Sequence, residues 1–208
     1  MDFQRDYILR LIQMMGDLMR RIAELIDDLQ RMRMLDDACR RFCGMTLTTA
    51  EDLSADSLRE LLPTVPRLML SELLYAKARS AALPTEDEQA LLLKALQLLA
   101  SLNDDSPLCS LRAVRLRELK QAVLPLTTAQ DLLACARFFA QAEQYDEMED
   151  ALFQALALEP TLDRGEAIAM LRRAAKASAV ALARCNMTSD ELRASARELE
   201  TTRQETSP

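Results

Sequence analysis

Apolar residues recur every seven places at the start of the chain. Ile8, Met15, Ile22 and Leu29 hold one heptad position, Leu11, Leu18, Leu25 and Met32 the interleaved one, and Ile12, Met19 and Ile26 widen the stripe. Arginines and acids fill the outer face. The pattern predicts one long amphipathic helix, roughly 45 Å for about thirty residues at 1.5 Å rise each. A stripe this wide suits a helical bundle better than a two-stranded coiled coil, whose flanking positions are normally charged. Leu35–Cys43 reads as a short helix ended by Gly44, a natural left-handed cap. Thr48 with Glu51 forms a capping-box pattern opening a segment toward Leu62, interrupted by Pro63 and Pro66. A helix pair follows over Leu68–Ala82 and Glu86–Leu102, split by Pro84, with Thr85 and Glu88 as cap. Residues 108–124 make a basic helix stopped by Pro125. Two amphipathic patterns then fill 129–160, opened by Thr127 with Gln130, joined by a turn around Glu143–Tyr145 and closed by Pro160. Asp163 with Glu166 starts a long helix to Asn186, and Thr188 with Glu191 starts the last. No alternating Val/Ile/Thr run bounded by turn signals offers a strand.

The expected fold is therefore all-α, a helical array or bundle. Residues 1–62 form an N-terminal region for packing or dimerisation, 63–200 a helical-hairpin domain and 201–208 a flexible tail, the whole one continuous domain. The composition agrees: glycine occurs three times, and half of the residues are hydrophobic. Ala, Leu, Met, Arg and Glu, which dominate, are the strongest helix formers.

The stretch AQDLLACARFFAQAEQYDEMEDALFQALALEP, residues 129–160, resembles the tetratricopeptide repeat, a helix–turn–helix unit of 34 residues. The small and aromatic pattern falls on Leu132, Cys135, Ala136, Phe139, Tyr145, Met148, Leu152, Ala155 and Pro160. Leu132 stands where the family favours Trp, Ala136 where it favours Gly, and Met148 where it favours Ala. Met at a close-contact position is expected to push the two helices apart or tilt them. An ordinary αα-hairpin that converged on this spacing is the alternative. One unit cannot bury its apolar face alone, and copies 34 residues away are degenerate: Ala90 and Ala95 are five apart where the repeat needs seven. The resemblance implies a surface that binds protein segments. The opening Asp6, Tyr7, Ile8, Arg10, Leu11 and Ile12 is similar to that of an uncharacterised family of helical proteins from anaerobic Gram-positive bacteria, which implies a bacterial source and brings no functional residues.

Charge is uneven. The net value is −7, yet residues 126–163 alone carry eight acids against Arg137, whereas 111–125 and 164–208 are net basic. An acidic chain binds nucleic acid poorly by default, because neutralisation of phosphates by Lys and Arg dominates that affinity. The acidic band on the hairpin selects a basic partner or is simply a solvated face. Uncharged runs are too short to span a bilayer. The opening MDFQRDYILR carries charges throughout and no small-residue cleavage site, so a secretory signal is not expected. Five cysteines in apolar helical settings suit reduced, buried thiols in a cytoplasmic protein.

The chain contains no histidine, which removes His-based triads, His-containing zinc sites and the commonest general base. Scattered glycines form no phosphate-cradling loop. Cys39 and Cys43, one helical turn apart, supply half of a four-ligand metal site and nothing completes it. The carboxylate pairs Asp27–Asp28, Asp36–Asp37, Asp104–Asp105 and Glu149–Asp150 lack the Glu-x-x-His partners of a di-metal bundle and read as surface solvation. No catalytic, cofactor or metal residue is assigned.

The sequence thus points to a non-catalytic interaction module, not an enzyme, with an unknown protein or peptide partner. Phe139, Tyr145, Asp146, Glu147 and Asp150 are the candidate partner contacts. The alternative is a regulator that binds nucleic acid or a nucleotide through the basic helix 112–120 (Arg112, Arg115, Arg117, Lys120) and the cluster Arg172, Arg173, Lys176. Neither has interleaved aromatics for base stacking. Burying each large side chain of the N-terminal stripe is worth roughly 1.5–3 kcal/mol, so the stripe must be covered. A homodimer with antiparallel N-terminal helices is expected, through Ile8, Leu11, Met15, Leu18, Ile22, Leu25 and Leu29.

Overall fold

The computed structural model describes residues 2–25, 27–80, 84–104 and 106–205, and their side chains except those of 2–5, 7, 8, 11, 19, 23, 106 and 202–205. Among these residues the fold is all-α, without a strand. The helices are α1 (Asp2–Glu24), α2 (Asp28–Cys43), α3 (Leu47–Asp52), α4 (Ala55–Leu61), α5 (Thr64–Ser80), α6 (Thr85–Ala100), α7 (Ser106–Val123), α8 (Ala129–Gln141), α9 (Tyr145–Leu158), α10 (Arg164–Ala174), α11 (Ala179–Arg184) and α12 (Ser189–Glu205), with a 3-10 turn at Leu124–Leu126. Two compact units form, one from Met1–Leu102 and Arg115–Leu126, the other from Asn103–Val114 and Thr127–Pro208.

In the first unit α5 is the central helix. Leu68, Met69, Leu70, Leu73 and Leu74 are all fully buried, and even Ser71 and Glu72 are inside. Ser71 Oγ satisfies itself by donating to the Ala95 carbonyl at 2.8 Å, which joins α5 to α6. α2 packs on α5 and α4 on α6, so residues 1–62 share a core with the helix pair that follows. Lys94 of α6 ties down the end of α3: its ammonium donates to the carbonyls of Ala50 (3.4 Å) and Leu53 (2.7 Å) and to that of Glu51. Lys77 of α5 pairs with the Glu51 carboxylate at 2.6 Å.

The expected single N-terminal helix is broken. α1 ends at Glu24 and α2 begins at Asp28, capped by Asp27, whose carboxylate accepts from the Leu29 amide at 2.9 Å. Arg31 locks the break. Its guanidinium donates to the Leu25 carbonyl, to Ser80 O at 2.7 Å and to Asp28 at 2.5 Å. Asp27, expected as surface solvation, overrides a continuous heptad because it satisfies an amide that a helix start leaves orphaned.

Other boundaries also moved. The segment toward Leu62 is two short helices: Thr46, not Thr48, caps α3, and Ser54 caps α4. Thr85 is the first residue of α6 and gives no side-chain cap. Thr128 with Asp131, not Thr127 with Gln130, makes the capping box of α8. The long helix expected over 166–186 stops at Ala174, and Ser178 restarts it as α11 by accepting from the Ala181 amide at 3.1 Å.

In the second unit α8 and α9 pair as the hairpin expected over 129–160, with Leu132, Cys135, Ala136, Phe138, Phe139, Met148, Leu152 and Ala155 fully buried. Glu143 takes a left-handed φ of 56° at the turn, and Gln144 N closes the end of α8 on Phe139 O at 2.9 Å. α10 stacks on this pair. Arg137 and Glu166 join α8 to it through two parallel bonds of 2.6 and 2.7 Å, and α12 packs on α10. α12 continues to Glu205, so part of the expected tail is helical and the remainder lies outside the described residues.

Candidate partner-binding groove

α9 and α12 face each other across a groove of about 530 Å³, which the turn Cys185–Met187 also lines. The register of α9 decides what points into it. Tyr145, Met148 and Leu152 turn into the hairpin core, which rotates Asp146, Glu149 and Asp150 outward onto the groove wall. Glu191 and Glu198 come from α12 on the opposite wall. Asn186 adopts a left-handed φ of 57°, which turns the chain sharply enough for α12 to come back alongside α9.

The five carboxylates differ in what holds them. Glu149 Oε1 accepts from Ser195 Oγ at 2.5 Å, which links the two walls. Glu191 caps its own helix, accepting from the Thr188 amide at 2.7 Å and hydroxyl at 2.9 Å. Asp146 Oδ1 is buried and has no hydrogen-bond partner among the described residues. Asp150 and Glu198 are exposed. No lysine or arginine lines the groove, so the charge on its lining is negative and attracts cations.

The five residues singled out from the sequence divide. Asp146 and Asp150 line the groove; Glu147 does not. Phe139 is fully buried and Tyr145 is 8% exposed, so both are core residues of the hairpin and not contact residues. Burial, with Glu143 and Cys185 nearby, raises the Tyr145 phenol pKa, so it stays protonated. The sequence does not single out Glu149, Glu191 and Glu198 as groove residues: Glu149 reads as half of a solvated pair and Glu191 as a cap, which it is, and nothing local joins 146–150 to 191–198.

Of the N-terminal stripe, Met15 and Ile22 are buried by the chain itself, Leu18 and Leu25 are half-buried, and Leu29 is 69% exposed at the start of α2. The side chains of Ile8 and Leu11 lie outside the described residues. The break before α2 puts Leu29 on another helix, so the seven residues do not make one continuous face.

The basic clusters are largely engaged. Arg115 bonds to Glu72 at 3.2 Å and Glu118 at 2.5 Å, and lies 3.7 Å over the Tyr75 ring. Lys120 is buried, and Arg172 pairs with Glu200. All five cysteines are free and buried. Cys43 Sγ donates to the Pro66 carbonyl at 3.4 Å, and the hydrogen bond shared with Cys39, together with burial, pushes its thiol pKa far up. It is a structural thiol. Among the described residues no group of three or more His, Cys, Asp or Glu is placed to hold a metal ion, and no helix is long and apolar enough to cross a membrane. Comparison with known protein families, with curated proteins and with solved structures yields no match.

Proposed function

We propose that this chain is a non-catalytic helical interaction module that receives a basic protein segment in the groove between α9 and α12. The observation that carries the reading is the wall of Asp146, Glu149, Asp150, Glu191 and Glu198 with no cation among the lining residues. A groove lined by acids alone brings like charges together, and a Lys- or Arg-bearing segment relieves their repulsion. Exposed pairs are worth about 0.2–1 kcal/mol each, so several acting together give a modest, salt-sensitive affinity in which charge selects the partner. The absence of histidine from the sequence supports a binding role over a catalytic one. The module belongs to the tetratricopeptide-like class in this reading, supported by the stacking of α10 on the α8–α9 pair. Five free, buried thiols support a reducing, cytoplasmic setting. The protein acts as a homodimer.

The test is binding of a labelled oligolysine peptide, followed by fluorescence anisotropy, against an oligoglutamate control. Lysine peptide should bind and the control should not. Asp150→Asn with Glu198→Gln, both at exposed positions, should weaken binding about tenfold, the equivalent of two such pairs. Equal binding of both peptides, or no effect of the double variant, overturns the proposal. The rival reading as a nucleic-acid binder is separated by a heparin column: retention beyond physiological salt would favour it.

A further inference from the structure

The exposed face of α1 carries a charge pattern that reads the same from either end once signs are exchanged. Asp6, Arg10, Asp17 and Arg21 are all exposed. At 100° per residue they fall within about 60° of arc, on the side opposite the buried Met15 and Ile22. The signs run minus, plus, minus, plus. A two-fold axis crossing α1 midway between Gln13 and Met14 sets Arg10 against the second copy's position 17 and Asp6 against its position 21. The two pairs lie about 5 and 11 Å from the axis along the helix. Every charge on the stripe then meets its opposite, and each pair occurs twice.

Beside this stripe, α1 and α2 enclose a groove of about 580 Å³. Its floor is apolar, from Met14, Leu18, Met34 and Phe42, and Met14 is 40% exposed. Within one chain the stripe is poorly used. Asp17 meets Arg20 at 2.9 Å, with both side chains more than 60% exposed, a pair that exchanges readily. Arg10, Arg21 and Asp6 make no ion pair among the described residues. We infer that α1 of a second copy packs antiparallel against this face, giving a four-helix layer of α1 and α2 from each chain, with Met14 and Leu18 at its centre and the crossed Arg10–Asp17 and Asp6–Arg21 pairs fixing the register. This rests on the homodimer reading above and replaces its interface: the stripe through Met15 and Ile22 is covered by the chain itself, so the second copy meets the other side of the helix.

Charge reversal tests the register. Arg10→Asp with Arg21→Asp makes the stripe wholly acidic, and Asp6→Arg with Asp17→Arg makes it wholly basic. All four positions are exposed, and circular dichroism should show both variants folded. The full-length wild type should sediment at micromolar concentration at about twice the mass of one 23.4 kDa chain. Each variant alone should dissociate, its dimer weakened on the order of a hundredfold by four pairs turned from attraction to repulsion. Mixed in equal amounts, the two should restore a dimer that contains one of each. A monomeric wild type overturns both the interface and the homodimer. Variants that dimerise as well as the wild type overturn the interface alone. Variants that stay monomeric when mixed overturn the crossed pairing.

Discussion

Lys94 offers the sharpest test of how the first unit is held together. One ammonium on α6 serves the carbonyls of Ala50, Glu51 and Leu53 at the C-terminal end of α3, groups that a helix end leaves without intrahelical partners. Lys94→Met keeps most of the aliphatic stem and removes all three donors. Bonds from charged groups contribute about 1.5–3 kcal/mol each, but the Ala50 contact is long at 3.4 Å and Lys94 is only half-buried, so water replaces part of the loss. A net cost of about 2–3 kcal/mol follows. With a urea slope of about 2 kcal/mol/M for a unit of this size, the unfolding midpoint should fall by about 1–1.5 M. Hydrogen exchange should accelerate first in α3 and α4, since their hold on α6 is what the substitution releases. A stability within about 0.5 kcal/mol of wild type, the range of an ordinary surface change, would refute the assignment of Lys94 as the anchor.

Two further outcomes concern the local devices of each unit. Asp36 accepts from the Leu47 amide at 2.8 Å and from Arg40 Nε at 2.8 Å, and these bonds, the backbone one first, hold its pKa below the usual 3.8. A lowered folded pKa adds stability that is present above the unfolded value and is lost as pH falls through the folded one. Asp36→Ala should therefore cost roughly 1 kcal/mol at neutral pH, and urea titrations should show the gap to wild type closing below about pH 4; a gap independent of pH would contradict this. Met148 fills the contact between α8 and α9 with no exposed surface. Met148→Ala should cost about 2–4 kcal/mol through the cavity it leaves, and a cost under about 1 kcal/mol would mean that the two helices simply close up.

The helical class was legible because it depends on composition and local pattern: three glycines, abundant strong helix formers and no alternating run. The α8–α9 hairpin was legible for the same reason, since its periodicity and turn are set within thirty residues. Breaks inside apolar runs were not. A heptad continues straight through Leu25–Asp28, and only the Asp27 cap and an arginine reaching Ser80 decide that the helix stops. Ser178 interrupts the later run in the same way. A capping side chain competes with helix continuation by about 1 kcal/mol, a margin that tertiary contacts settle and periodicity does not register. The acidic groove was half legible. Asp146 and Asp150 stand in a band whose charge the sequence displays, but Glu191 and Glu198 lie in a segment that is net basic by count. They become part of the same wall only because α10 and the left-handed Asn186 return α12 alongside α9. The inward turn of Phe139 and Tyr145 has the same origin: an aromatic in a helix pattern does not disclose whether a neighbour will cover it, and here both are buried.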